Sequence, residues 1–153
     1  MIAVECYADT RLVLALGATK ASVKHAKGKG HVLDILRDGK ATLGIVDEDP
    51  GASEYPQMRG YNVAERRGSL CLFRHPDGTD RRVVVISPRL EEWLLSRAKA
   101  SGIEPSKFGM ASDPHKLHGS GRYDLHPKFG SFLAELLRSD PEVQQLRSWM
   151  QPR

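Results

Sequence analysis

Residues 43–51 read LGIVDEDPG. Leu43, Ile45 and Val46 run into Asp47 and Asp49, and a proline and a glycine then stop the run. A short apolar stretch bounded by turn residues reads as a buried strand. With Ala41 and Thr42 in front, ATLGIVD is the clearest strand of the N-terminal part. A buried strand that ends in acids either opens an acidic turn or forms the floor of a metal site.

The segments upstream give that strand its setting. IAVEC, residues 2–6, is a short apolar run broken by Glu5 and reads as a first strand. Asp9 is placed to cap a helix over 10–16, with Leu12, Val13 and Leu16 at helical spacing and Gly17 at its end. KASVKHA, residues 20–26, is a weaker strand. An amphipathic helix follows, its inward face being Val32, Leu33, Ile35 and Leu36, and Gly39 stops it. The order is β-α-β-α-β. Short apolar strands alternating with helices imply a parallel sheet covered on both faces. Ligands of such sheets bind beyond the carboxyl ends of the strands, which is where Asp47 and Asp49 fall.

Downstream, residues 50–68 read as a long polar loop. SLCLFRHPDGTDRRVVVIS reads as two strands around a PDGTD turn, so the sheet is expected to be mixed. Ser87 and Pro88 would open the next helix, whose apolar stripe is Leu90, Trp93, Leu94 and Ala98. Residues 101–127 read as loops with at most a short helix. Two helices end the chain, one with Phe129, Phe132, Leu133, Leu136 and Leu137 inward. The other carries Val143, Leu146, Trp149 and Met150 and is capped by Asp140 or Ser139. The expected organisation is an α/β core over residues 1–100, with a loop region and a C-terminal helical pair over 101–153 packed on the same domain.

Bulk properties narrow the function classes. A chain of 153 residues suits one domain with a genuine core. The net charge of +4 permits a nucleic-acid partner without requiring one. Cys6 and Cys71 are far apart in apolar runs and read as buried thiols, not as a disulfide framework or zinc site. No stretch approaches the ~20 apolar residues of a membrane span, and the N-terminus does not read as a signal peptide. The expected setting is cytoplasmic, with no membrane partner.

Glu5, Asp47 and Asp49 form the informative constellation. Neighbouring parallel strands would bring them close, and clustered buried carboxylates are costly unless a cation neutralises them. Mg²⁺, or Mn²⁺ in its place, suits such oxygen ligands and supports phosphoryl chemistry. The competing reading has DEDPG as a simple turn and Glu5 paired with a lysine such as Lys24. The joint occurrence of the three acids favours the metal.

VECYADTRLVLALGA resembles the E-G-x-x-D stretch of Toprim domains, the topoisomerase–primase family that includes primases and overcoming-lysogenization-defect nucleases. IVDEDPG resembles their D-x-D motif, and the likeness covers roughly residues 1–100. It implies a Toprim-like mostly parallel sheet flanked by helices, and Mg²⁺-dependent phosphodiester chemistry on nucleic acid. Cleavage is the expected activity. The alternative is a non-catalytic module binding nucleic acid, a nucleotide or a protein partner. Carried over, Asp47 and Asp49 would bind metal, Glu5 would bind metal or handle protons, and Asp9 would act as a cap behind them. The nuclease branch adds acids from a later helix, which points to Glu91 and Glu92 as further ligands. Acids in a first helical turn also simply offset the helix dipole. The family glycine after the glutamate is Cys6 in this chain.

Other features have two readings each. AKGKGH, with Lys27, Gly28, Lys29 and Gly30, is either a phosphate contact at a helix start or a solvated turn. Arg66, Arg67, Arg81 and Arg82 either follow a nucleic-acid backbone or guard a sheet edge. His115, His118 and His126, with Asp113 and Asp124, lack the spacing of a zinc site on one helical face. Lys116 and Lys128 are outlying candidates for a nuclease lysine.

Overall fold

The computed structural model describes residues 1–152, which form a six-stranded α/β sheet with helices on both faces. In chain order the elements begin with β1 (Ile2–Val4), α1 (Tyr7–Ala15), β2 (Val23–His25), α2 (Lys29–Arg37) and β3 (Leu43–Asp47). Then come β4 (Asn62–Arg67), β5 (Leu70–Arg74), β6 (Arg82–Ile86) and α3 (Leu90–Ala100). The chain closes with α4 (Pro114–Gly119), α5 (Phe129–Ser139) and α6 (Pro141–Met150). The strand order is β2-β1-β3-β6-β5-β4. β2, β1, β3 and β6 are parallel, and β5 runs antiparallel to both of its neighbours.

Strand alternation separates two cores. Ile2, Val4, Leu43, Ile45, Val84 and Ile86 point to a large core shared with α1, α3, α5 and α6. Ala3, Val46, Val83 and Val85 point to a smaller one under α2. This two-sided burial explains why the strands read as apolar runs. The smaller core depends on Gly44, where a Cβ would lie 2.8 Å from Leu36 Cδ1 and 2.9 Å from Val32 Cγ1. Any side chain there would force the Leu36 and Val32 side chains of α2 to shift. Phe129, Phe132, Leu136, Val143 and Leu146 belong to the large core, so the C-terminal helices and the N-terminal units share one interior.

Several expectations change. The polar segment 50–68 contains β4, an edge strand with every residue exposed. Its apolar content is too low to announce a strand, and β5 supplies the pairing that forms it. Its charged residues and a bulge between Val63 and Glu65 protect the free edge. α1 begins earlier than expected, with Cys6 and not Asp9 at its N-cap. α3 begins after Arg89, so Ser87 is not its cap. Asp140 caps α6 through Val143 N at 3.0 Å, as its position predicts. Arg81 and Arg82 are not free to track a nucleic-acid backbone. Arg81 pairs with Asp77, and Arg82 is buried, donating to the Trp149 carbonyl at 2.7 Å. Among the described residues, no helix is long and apolar enough to cross a membrane.

Candidate active site

The chain order places β1 beside both β2 and β3, with α1 on one face and α2 on the other. The gap beyond the carboxyl ends of β1 and β3 is therefore the point where the winding reverses, the usual ligand position in open α/β sheets. A cleft of about 620 Å³ opens there. Its acidic lining comes from four elements and the loops that follow them: Glu5 after β1, Asp9 in α1, Asp47 and Asp49 at the end of β3, and Glu91 and Glu92 in α3.

Glu5 and Asp47 are tied together. Glu5 Oε1 accepts from the Asp47 amide at 2.8 Å, so the glutamate is a fixed part of the floor and not a partner of Lys24. Asp9 stands at the third position of α1 in a reciprocal cap. Its Oδ2 accepts from Cys6 N at 3.2 Å and from the Cys6 thiol at 3.1 Å, and its own amide donates to Cys6 Sγ at 3.5 Å. This arrangement explains why a cysteine serves where Ser or Thr would be usual. It leaves Asp9 only 2% exposed.

Two oxygens at the centre have no donor. Asp9 Oδ1 and Asp47 Oδ1 are buried without a hydrogen-bond partner, and so is Glu92 Oε2. Orphaned buried carboxylate oxygens are rare and costly. The protonation equilibria carry the same message. Burial, then repulsion from Asp9 and Glu5, pushes the Asp47 carboxyl well above its ordinary range, although the Leu90 amide at the head of α3 opposes it. Burial also raises Asp9, with Glu5 and Glu91 adding repulsion against the bonds from Cys6. Burial raises Glu5, opposed by the Asp47 amide and the charge of Lys29. The Cys6 thiol is pushed up by burial and by Asp9, which keeps it protonated.

The remaining expected residues divide. Asp49 lies on the rim in a left-handed conformation (φ 53°), which Asp tolerates better than most side chains, and its carboxylate is 3.0 Å from Arg89 Nε. Arg89 also reaches Glu92 at 3.4 Å. Glu91, expected among the metal ligands, lines the cleft; its Oε1 accepts from Tyr123 OH at 3.1 Å and lies 3.3 Å from His118 Nδ1. Lys29 lines an adjoining cavity of about 450 Å³ that shares Asp49 with the acidic cleft. Gly28 caps α2 with φ 96°, and Gly30 lets Tyr55 pack closely on that helix. Lys27 is exposed and lines neither cavity.

His115 and His118 were not legible as part of this site. They lie on α4, and the fold brings them into the cleft from a segment that reads as loop. His126 does not line the cleft, and its Nδ1 accepts from the Lys128 amide at 3.1 Å. Lys116 and Lys128 do not line the cleft. Among the described residues, no three His, Cys, Asp or Glu side chains converge as a ready-made metal ligand set. Comparison with protein-family models, with curated proteins and with solved structures found no match.

Proposed function

We propose that this chain is a Toprim-like domain that cleaves phosphodiester bonds in nucleic acid with the help of Mg²⁺ or Mn²⁺. The observation that carries the reading is the pair of buried, donor-less oxygens, Asp9 Oδ1 and Asp47 Oδ1, lining one cleft at the winding reversal. A divalent cation is the partner that such a site fits. Mg²⁺ commonly takes one or two carboxylates and completes its shell with waters and substrate phosphate, so it needs no converged set of protein ligands. Asp47 and Glu5 would hold it, with Asp49 at the rim and Asp9 behind. The bound ion would supply charge neutralisation at the phosphoryl group and an activated water.

The chain's own groups set the rest. The Glu5 carboxylate is fixed in position by the Asp47 amide, which limits its reorganisation. Arg89 restrains Asp49, and Lys29 brings positive charge to the same edge for a phosphate. Cys6 favours a second reading, a binding module without catalysis, because its thiol occupies the family's glycine position and engages Asp9.

The test is Mn²⁺ titration calorimetry alongside cleavage assays on single- and double-stranded DNA and RNA, comparing the wild type with Asp47→Ala. Cation binding and cleavage that both disappear in the variant support the nuclease. Nucleic-acid binding that survives Asp47→Ala, with no cleavage by the wild type, supports the module.

A further inference from the structure

In the proposed site Asp47 and Glu5 are committed to the cation, and the acids of its floor and rim are each held by a neighbouring group. Glu5 is bonded to the Asp47 amide, Asp9 to Cys6, and Asp49 to Arg89. The opposite wall is α4, where Pro114, His115 and His118 face the same cleft. That helix is short but well held. Asp113 caps it through the Lys116 amide at 2.9 Å, Leu117 is buried in the large core, and Ser120 Oγ donates to the Leu117 carbonyl at 2.7 Å.

His118 is oriented from behind. A carboxylate only accepts, so contact between His118 Nδ1 and Glu91 Oε1 at 3.3 Å requires the proton on Nδ1. The neutral ring then has its lone pair on Nε2. Glu91 is itself fixed by the Tyr123 hydroxyl at 3.1 Å. The His118 side chain is 74% exposed, so Nε2 is accessible to water and substrate. A carboxylate that sets the tautomer of an imidazole beside a reaction site is the arrangement of a general base.

We infer that His118 is the general base of the cleft, with Glu91 and Tyr123 as its positioning residues. The inference rests on the proposed phosphodiester cleavage. The oxygen of a water forms a bond to phosphorus while one of its protons passes to His118 Nε2. The bond from phosphorus to the leaving oxygen breaks, and that oxygen takes a proton from a solvent water. The imidazolium returns its proton to the hydroxide so formed, which restores the neutral ring.

The experiment is steady-state cleavage of a labelled oligonucleotide by the full chain in Mn²⁺, for the wild type, His118→Ala, Glu91→Gln and Asp47→Ala. Thermal melts confirm that each variant folds. His118→Ala is expected to lose roughly 10²–10⁴-fold in kcat with little change in KM. Added imidazole is expected to restore part of that loss in His118→Ala and none of it in Asp47→Ala. Glu91→Gln is expected to lower kcat by a smaller factor without rescue. Wild-type cleavage abolished by Asp47→Ala, together with a His118→Ala variant that keeps its kcat or loses it without rescue, overturns the role of His118 and leaves the nuclease standing. A wild type that cleaves nothing overturns both.

Discussion

Two regions of this protein bury acids, and they treat them in opposite ways. Between the sheet and α6, Asp140 and Glu142 are 0% and 5% exposed. Their charges are matched. Arg97 reaches both, Ser69 N donates to Glu142 Oε1 at 2.5 Å, Ser101 Oγ donates to Asp140, and Asp140 caps a helix. In the cleft, Asp9 is buried and Asp47 half-buried beside further acids, and each leaves a buried oxygen without a donor. A matched buried charge fastens elements together. An unmatched one is a cost that folding tolerates where a ligand later supplies the missing charge.

This contrast breaks first at Glu142. Glu142→Ala would strand Arg97 with only Asp140 and free the Ser69 amide. Removing one partner of a buried pair costs about 3–5 kcal/mol, so denaturant unfolding should show a large loss of stability. Cleavage per folded molecule should be unchanged. Equal losses of stability and specific activity would mean that the two regions are not separate.

Asp47→Asn is the opposite experiment. It keeps the shape and removes the charge that burial and the other acids oppose. Stability without metal at neutral pH should rise by about 1–2 kcal/mol, a Tm increase of roughly 2–8 °C for a chain of this size. Cleavage should fall by about 10²–10³-fold, as expected when a preorganised charge is removed. Loss of stability in this variant would show that the carboxylate is structurally satisfied after all.

The pH dependence sharpens the same point. The folded-state pKa values of Glu5, Asp9 and Asp47 are raised. The unfolded chain therefore releases these protons at lower pH than the folded one. Stability contributed by these groups is greatest in acid and declines as pH rises from about 4 through the raised values. Melts in chelator should show Tm falling between about pH 5 and pH 8, and Mg²⁺ should raise Tm more at the upper end than at the lower. The smallest effect is expected at Cys6. Cys6→Ser keeps a cap that both accepts and donates, so its stability should lie within about 1 kcal/mol of the wild type.

Much of this was legible in the residues. Two-sided burial makes β1, β3 and β6 continuous apolar runs, and helical spacing marks α2, α3, α5 and α6. The β4 strand was not legible, because an exposed edge is held by its neighbour's hydrogen bonds and not by its own side chains. The histidines of α4 were not legible either. Glu91, the partner of His118, is 27 residues away from it, and local spacing carries no trace of such a contact.

Sequence alone determined the α/β alternation, the mixed sheet, and the placing of Asp47 at a strand end, because burial periodicity and turn residues act over a few neighbouring positions; it put Glu5 inside the first strand, whereas β1 ends at Val4 and Glu5 follows it. Tertiary structure decided how each acid is used. It bound Asp9 to Cys6, moved Asp49 to the rim against Arg89, turned Glu91 toward His118, and left Asp9 and Asp47 with bare oxygens. Whether a carboxylate is satisfied depends on which donors distant segments bring within reach, and only the folded chain fixes that.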